Sequence, residues 1–518
     1  MRSALATVSL AVLLGMTALA QETSVELQLL STFQTNVFGE GAAEIAAFDP
    51  ETNTLFVVNG DSDSIDLLSI ADPAAIAQIG AIAIEDGSPN SVAFLNGVLA
   101  IAVEGEETMD NGRIIFANAQ GEILSEVTVG VLPDMVIFSP NGKLVITANE
   151  GEPSDDYSKD PLGSVSIIDI SGGVDNLTDA AVTTLTFEAY DAPGALPEGV
   201  RVYGPNAKPS QDFEPEYVAV STDSTAAYVS LQENNALAVI DLVNKQITAL
   251  IPLGFKDHRM EGMGFDGGND DGVINIANWP VFGLYQPDAI VYIMVGEMGY
   301  ILSANEGDTR DYDGYSEEGE VGETPLDPTA YPNADELAQE SAIGGLEILT
   351  SIGDTDGDGD IDQMYLPGAR SFSVWSTSGE LIWDSGDAFE RITAEVYPDD
   401  FNSTNDENGS FDDRSDNKGP EPEDIKVGAI DGKLYAFIGL ERIGGVMVYD
   451  VTDPTAPRFV GYSNNRDFSG DAEAGTAGDL GPEGVLFISA ADSPNGQPLL
   501  VVTNEISGST SVFQVVVK

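Results

Sequence analysis

One unit recurs along this chain. An apolar strand opens with an acid, a turn follows, a second apolar strand ends near Asn-Glu, and a third strand often ends in Asp. "LPDMVIFSPNGKLVITANEGEP" with "GSVSIIDI" is the clearest copy, and "EPEYVAVSTDSTAAYVSLQENNALAVIDL" is the next. "QPDAIVYIMVGEMGYILSANEGD" is interrupted, its third strand delayed to "SFSVWSTSGELIW". "EPEDIKVGAIDGKLYAFIGLERIGGVMVYDV" and "GPEGVLFISAADSPNGQPLLVVTNEISGSTSVFQV" are later copies, and two weaker ones lie near residues 44–70 and 90–117. Fixed self-similarity of short, period-2 strands with Gly, Asn, Asp and Pro at the turns predicts an all-β fold, a seven-bladed β-propeller. A β-sandwich pair is the alternative.

Each copy has a fourth strand after its third, except the last, which ends at Lys518. The unassigned run "SVELQLLSTF", Ser24 to Phe33, is expected to supply it, so that N- and C-terminal strands close the ring. Two acidic loop insertions, about 307–370 and 386–419, fall in and after the fifth blade. Both read as too polar for a second core and are expected to cap one face.

Residues 1–20 read as a secretory signal: Arg2 at the start, apolar residues from Leu5 to Leu14, and Ala18-Leu19-Ala20 before Gln21. The domain is then 21–518. The apolar run is too short to span a membrane, and no later segment is long enough. With no cysteine there are no disulfides. A secreted or periplasmic protein without a visible anchor is the expectation.

The 87 acidic against 20 basic side chains give a formal net charge of −67. Such a field repels phosphate and excludes nucleic acid and anionic membrane surfaces as partners. With 42% hydrophobic residues the chain is not disordered, so the charge points to cations as partners.

In a propeller blade, the start of the first strand and the end of the second share one rim. Cross-strand neighbours are about 5 Å apart. The repeat therefore pairs Asp134 with Glu150, Glu216 with Glu233, Asp288 with Glu306, Glu423 with Glu441, and Glu483 with Glu505. In the first copy Glu44 faces Gly60-Asp61, and in the second Ser91 faces Glu104. Like charges this close need a cation, a donor or a raised pKa. The rim is thus a candidate metal site, against the plainer reading that its acids satisfy turn amides.

"DTDGDGDID" carries oxygen ligands at Asp354, Asp356 and Asp358, with Gly359 at the sixth position. That is the spacing of an EF-hand-like calcium loop, with Tyr365 where the bidentate Glu would stand. The expected ligands are Asp354, Asp356, Asp358, Asp360 through its carbonyl, and Asp362. Lys256, Arg259 and Arg310 are candidates to hold a phosphate or carboxylate, although each could simply pair with a nearby acid. The single His258 gives neither a His-rich zinc site nor a triad, and no nucleophile elbow, P-loop or dinucleotide fingerprint occurs.

"LVITANEGEPSDDY", "LQENNALAVIDL", "INIANWPVFGLYQPD", "SANEGDTRDY", "DTDGDGDID", "DNKGPEPED" and "FIGLERIGGVMVYD" together resemble the choice-of-anchor I domain family over nearly the whole mature chain. That family is similar to mesenchyme-specific cell surface glycoproteins. The resemblance implies a WD40/YVTN-like propeller on an exported or surface protein and carries over no catalytic residue. Two functions follow as expectations. The first is a secreted, calcium-binding module that meets a surface or matrix partner. The second is a calcium-dependent phosphoesterase, of the alkaline phosphatase or phytase kind, taking a small anionic ligand at the rim.

Overall fold

A computed structural model describes residues 23–107, 109–269 and 271–518. The signal segment expected over 1–20 lies outside the described residues. Among them the backbone forms seven four-stranded antiparallel sheets, which we number in chain order. Sheet 1 comprises Ala46–Asp49, Thr54–Asn59, Ser64–Ser69 and Ala77–Ala83, and sheet 2 Pro89–Leu95, Val98–Val103, Asn111–Asn118 and Ile123–Val131. Sheet 3 comprises Pro133–Phe138, Leu144–Asn149, Ser164–Asp169 and Val182–Thr186. Sheet 4 comprises Pro215–Val220, Ala226–Leu231, Ala236–Asp241 and Gln246–Pro252. Sheet 5 is Ile290–Val295, Met298–Asn305, Ser371–Ser376 and Leu381–Asp384; sheet 6 is Pro422–Ile430, Lys433–Leu440, Val446–Asp450 and Arg458–Ser463. Sheet 7 takes Pro482–Ile488, Leu499–Asn504 and Ser509–Val517 from the end of the chain and Val25–Gln34 from its start.

That last pairing is antiparallel, from Val25 opposite Val517 to Gln34 opposite Ser509, with a bulge between Leu29 and Ser31. The expected latch of Ser24–Phe33 against the last strand is therefore present. The delayed third strand of the fifth copy is also found, with Asn305 opposite Ser371.

First strands of successive sheets touch in cyclic order, and Ala46–Asp49 of sheet 1 lies against Pro482–Ile488 of sheet 7. Burial explains the ring. A twisted sheet with apolar residues on both faces must cover both, and each sheet here does so against its two neighbours. Phe56 packs with Val92 between sheets 1 and 2, and Leu55 with Ile488 between sheets 1 and 7. Every other junction has its own cluster of the same kind.

The insertions correct one expectation. Residues 307–370 are not a coreless cap, because Val321, Leu337, Ile343, Leu346, Ile348, Ile361 and Met364 pack with Phe265 and Val281 into a separate buried cluster. Met364–Leu366 joins Val281–Leu284 in parallel, and Phe255–Asp257 completes that small sheet. The apolar residues are spread thinly among acids, so no local window looks like a core. Tertiary packing with 255–284 gathers them. The second insertion holds a helix, Ala388–Val396, whose Phe389 is buried in the cluster between sheets 5 and 6.

Candidate functional site

Five first strands begin at a proline: Pro89, Pro133, Pro215, Pro422 and Pro482. A proline fits there because it has no N–H to give the ladder. In each of these strands the register shifts immediately afterwards. Bulges re-aim side chains, and Asp134, Glu216, Glu423 and Glu483 occupy these bulges. Pro133 lies opposite Asn149, Pro215 opposite Leu231, Pro422 opposite Leu440 and Pro482 opposite Asn504. Glu150, Glu233, Glu441 and Glu505 follow those partners by one or two residues, at the same end of their sheets.

The motif Asn-Glu-Gly-acid divides into four tasks. Asn149 Nδ2 donates to the hydroxyls of Ser164 and Ser166 at 3.1 Å, and Asn305 Nδ2 to those of Ser371 and Ser373 at 3.2 and 2.8 Å. The asparagine thus ties the second strand to the third. The next residue, Glu150 or Glu306, stands on the rim. Gly307 has φ +93°, and a Cβ there would come within 2.1 Å of Gly368 N, so only glycine fits the turn. That turn brings the following acids, Glu152 and Asp308, back toward the rim.

Burial and mutual repulsion place these carboxylates in one electrostatic group. Burial first, then Glu505 and Asp134, pushes Glu44 up to about 8. Burial, then Glu152, pushes Asp134 up to about 7. Burial again leads for Asp308, up to about 7, where Glu233 and Glu306 add to it and Lys418 opposes it. Glu216 and Glu150 are raised well above the usual range by burial and then by acids at the same end of their own sheets, Glu233 and Glu152 respectively. Asp288 is raised by burial and then by Glu306, and Glu423 by burial and then by Glu306 and Glu483. Burial, then Glu421, raises Glu441, and burial, then Glu505, raises Glu483. All five predicted rim pairs are thus drawn into one acidic end. Glu44 and Asp134 also line a central cavity of about 720 Å³ between the first strands.

Sequence reasoning missed four members, Glu152, Asp308, Glu214 and Glu421. Glu214 and Glu421 each stand immediately before a strand-opening proline, in "EPE", and that doubled acid was the available signal.

Glu214 and Glu421 complete two carboxylate trios, in each of which one oxygen from every residue lies within 4.8 Å of the others: Glu150–Glu214–Glu233 and Glu306–Glu421–Glu441. The second trio is discharged by the chain itself. Lys418 Nζ lies 2.6 Å from Glu306, Arg414 2.8 Å and Arg442 2.7 Å from Glu421, and Arg442 3.0 Å from Glu441. Although burial would raise Glu421, Lys418, Arg442 and Arg414 hold it well below the usual carboxylate range. The first trio has one close cation, Arg310, whose Nη2 is 2.5 Å from Glu214 Oε1 and whose Nη1 is 3.2 Å from Asp212.

The three cations expected to hold an anion are each engaged by the protein's own acceptors. Lys256 is buried, donates to the carbonyls of Ala369 and Gly386, and sits 3.2 Å from Asp384. Arg259 is exposed, chelates Asp257 at 2.7 Å and covers the Phe282 ring. Arg310 is fully buried between Asp212 and Glu214. They do not form one open cationic pocket. Scarce cations in an acid-rich chain pair locally, because each desolvated carboxylate needs a partner.

In the Asp354–Asp362 loop, Asp354 accepts from the N–H groups of Gly357 and Gly359, and Asp362 from Thr355. Asp354, Asp356 and Asp362 form one close trio, and Asp327, Asp360 and Asp362 another. Asp327 was not foreseen, and Asp358 belongs to neither trio. Asp360 reaches its trio through the carboxylate, where the sequence suggested its carbonyl.

The model of the choice-of-anchor I domain matches residues 44–454. Among curated proteins, Gigasin-3a of Magallana gigas is 33% identical over 192 residues, 35% of this chain and 66% of that protein. Mesenchyme-specific cell surface glycoprotein of Strongylocentrotus purpuratus is 27% identical over 282 residues, 47% of this chain and 35% of that protein. The chain thus spans less than two thirds of the length of either relative. Two solved structures align more loosely. Kuenenia stuttgartiensis hydrazine synthase has a TM-score of 0.46 at 13% identity, over 92% of this chain and 96% of that one. The Cps50 (Swd1) beta-propeller domain of Myceliophteria thermophila has 0.43 at 9%, over 95% and 100%.

Proposed function

The chain belongs to the choice-of-anchor I domain family, and from that premise we infer an extracytoplasmic, calcium-binding, seven-bladed β-propeller that works as a surface-interaction module. The cyclic contact of seven four-stranded sheets supports the propeller. The name of the sea-urchin relative, a cell surface glycoprotein, supports the location. Among the described residues no helix is long and apolar enough to cross a membrane.

One observation carries the reading: a ring of buried carboxylates at one end of the central channel, far outnumbering the cations there. Such an end recognises positive charge, either a metal ion or the basic groups of a partner. The exposed Asp354–Asp362 loop, with Asp327, is the proposed calcium site. Its ligands are all carboxylate or carbonyl oxygens, which suit a hard cation. With Lys256, Arg259 and Arg310 already occupied, nothing favours the phosphoesterase reading.

Polylysine and polyglutamate titrated against the immobilised chain test the module, with calcium present and then chelated. Binding of polylysine alone, weakened by salt and by the Asp134→Asn, Glu483→Gln double variant, is expected. Equal binding of both polymers, or no effect of the variant, overturns the reading.

A further inference from the structure

The two carboxylate trios of the rim pose a physical contrast. Glu306–Glu421–Glu441 receives Lys418, Arg414 and Arg442. Glu150–Glu214–Glu233 receives Arg310 alone, and Arg310 is shared with Asp212. Glu152, Glu216 and Asp308 add further negative charge nearby, since each acts on Glu150 or Glu233 or is acted on by it.

Hydrogen bonding leaves the same deficit. Glu214 and Glu233 are at most 3% exposed and Glu216 is 7% exposed. Both Glu214 oxygens, Glu216 Oε2 and Glu233 Oε2 have no hydrogen-bond donor, the Arg310 contact with Glu214 being one of charge. Buried carboxylate oxygens without donors are costly unless something positive meets them. A few such atoms in isolation would be unremarkable. With Glu214 Oε1 met by Arg310, three remain, and two of them, Glu214 Oε2 and Glu233 Oε2, lie on members of one close trio.

We propose that Glu150, Glu214 and Glu233 hold a resident divalent cation of the calcium class, distinct from the Asp354–Asp362 loop, with Glu216 available as a fourth ligand. The proposal rests on the reading that the acidic rim takes cations. The geometry suits it. Calcium–oxygen distances are about 2.3–2.6 Å, so oxygens on one ion lie up to about 5 Å apart. One oxygen from each of the three carboxylates falls within 4.8 Å of the other two. The donor set is oxygen only, and the chain's single histidine, His258, is buried elsewhere with Nδ1 on the Met263 carbonyl. With no nitrogen or sulfur ligand, zinc and copper are disfavoured.

The sequence places each ligand at an element boundary of sheets 3 and 4. Glu150 follows Asn149, whose amide is fixed to Ser164 and Ser166. Glu214 immediately precedes the strand Pro215–Val220, and its N–H lies 3.4 Å from Asn234 Oδ1. Glu233 lies in the turn after Leu231, where Arg201 donates to its carbonyl at 2.8 Å. The ion would tie two sheets together, and Arg310 orients Glu214 from behind.

The test uses the chain carrying Asp356→Ala and Asp362→Ala, which breaks both trios of the exposed loop and so silences it. After chelation and desalting it is titrated calorimetrically with Ca²⁺, Mg²⁺, Mn²⁺ and Zn²⁺. The expected result is one Ca²⁺ per chain, with weaker Mg²⁺ and Zn²⁺. Glu150→Gln and Glu233→Gln should each weaken Ca²⁺ about tenfold or more, as expected when a charged ligand is lost. Glu380→Gln, an exposed acid, should leave binding unchanged. No stoichiometric Ca²⁺ in the loop-silent chain, or unchanged affinity in both variants, overturns the proposal. Should those variants misfold, anomalous diffraction from Mn²⁺-soaked crystals of the unmutated chain decides. A peak among Glu150, Glu214 and Glu233 supports it, and no peak there overturns it. Because the readout is metal, it is independent of polylysine capture, and either idea can fail alone.

Discussion

Lys418 Nζ lies 2.6 Å from Glu306 Oε1, so a cation from the second insertion closes a carboxylate that ends a strand of sheet 5. The contact spans 112 residues of chain and is 12% exposed on both sides. The polar insertions therefore do more than cover a face. They bring Lys418 and Arg414 against Glu306 and Glu421 of the rim.

Breaking that pair should be costly, because the surviving carboxylate stays buried and unpaired. Lys418→Ala is expected to lower unfolding free energy by about 3 kcal/mol. Urea denaturation measures it. In a double-mutant cycle with Glu306→Gln, the combined loss should be smaller than the sum of the two. Strict additivity would mean that the contact contributes nothing.

Deleting Ser24 to Phe33 should expose the edge of Ser509–Val517 and open the junction of sheets 7 and 1. A loss of at least about 5 kcal/mol is expected, comparable to the whole stability of a marginal domain. Thermal melting of the truncated chain reports it. A truncated chain that melts with the full-length protein would contradict the latch.

Calcium should raise the melting temperature of the full chain, since a ligand bound only by the folded state stabilises it. The Asp356→Ala, Asp358→Ala variant should keep part of that rise and lose the rest. Asp327→Ala should resemble it. If Asp327→Ala responds to calcium as the unmutated chain does, the Asp327–Asp360–Asp362 trio takes no part.

The raised carboxylates fix the sign of the pH dependence. Glu44 is pushed up to about 8, and Asp134 and Asp308 up to about 7. Unfolded carboxylates titrate near about 4. Between these limits the folded state holds more protons than the unfolded one. The contribution is complete below about pH 4 and is lost as pH rises toward 7–8. Without divalent ions the urea midpoint should therefore fall from pH 5 to pH 8, and calcium should flatten the fall by standing in for protons. Glu421, held low, has the opposite sign and acts only in strong acid. A midpoint that climbs over this range would refute the assignment.

Hydrolysis of a generic phosphomonoester and of phytate should be absent with calcium present or chelated. Turnover that disappears on chelation and in Glu306→Gln, with the fold intact, would reinstate the phosphoesterase.

The repeating strands, the latch and the five rim pairs were legible because each is a local pattern copied at intervals. Asp134 and Glu150 could be paired from turn length alone. The Glu150–Glu214–Glu233 trio could not, since it draws on two sheets and on a residue before a proline. Nor could the fate of the basic residues. Arg310 follows "NEGDT" as if presented to solvent, yet it is buried against Asp212 and Glu214. The separate core around Val281 and Met364 was hidden in the same way, by apolar residues too sparse to show a period.

The pairing of Val25 with Val517 also sets an order of events in time. Sheet 7 lacks its outer strand until Val25–Gln34 meets Ser509–Val517, strands that are made far apart in time. Sheets 1 to 6 can assemble as the chain emerges, but sheet 7 cannot be completed before its final strand is present. A chain crossing a membrane from its N-terminus would thus stay an open arc, with Val25–Gln34 unpaired, until Ser509–Val517 had passed. During that interval the free strand is a template for another chain, and a partner that shields strand edges would be needed most in those moments.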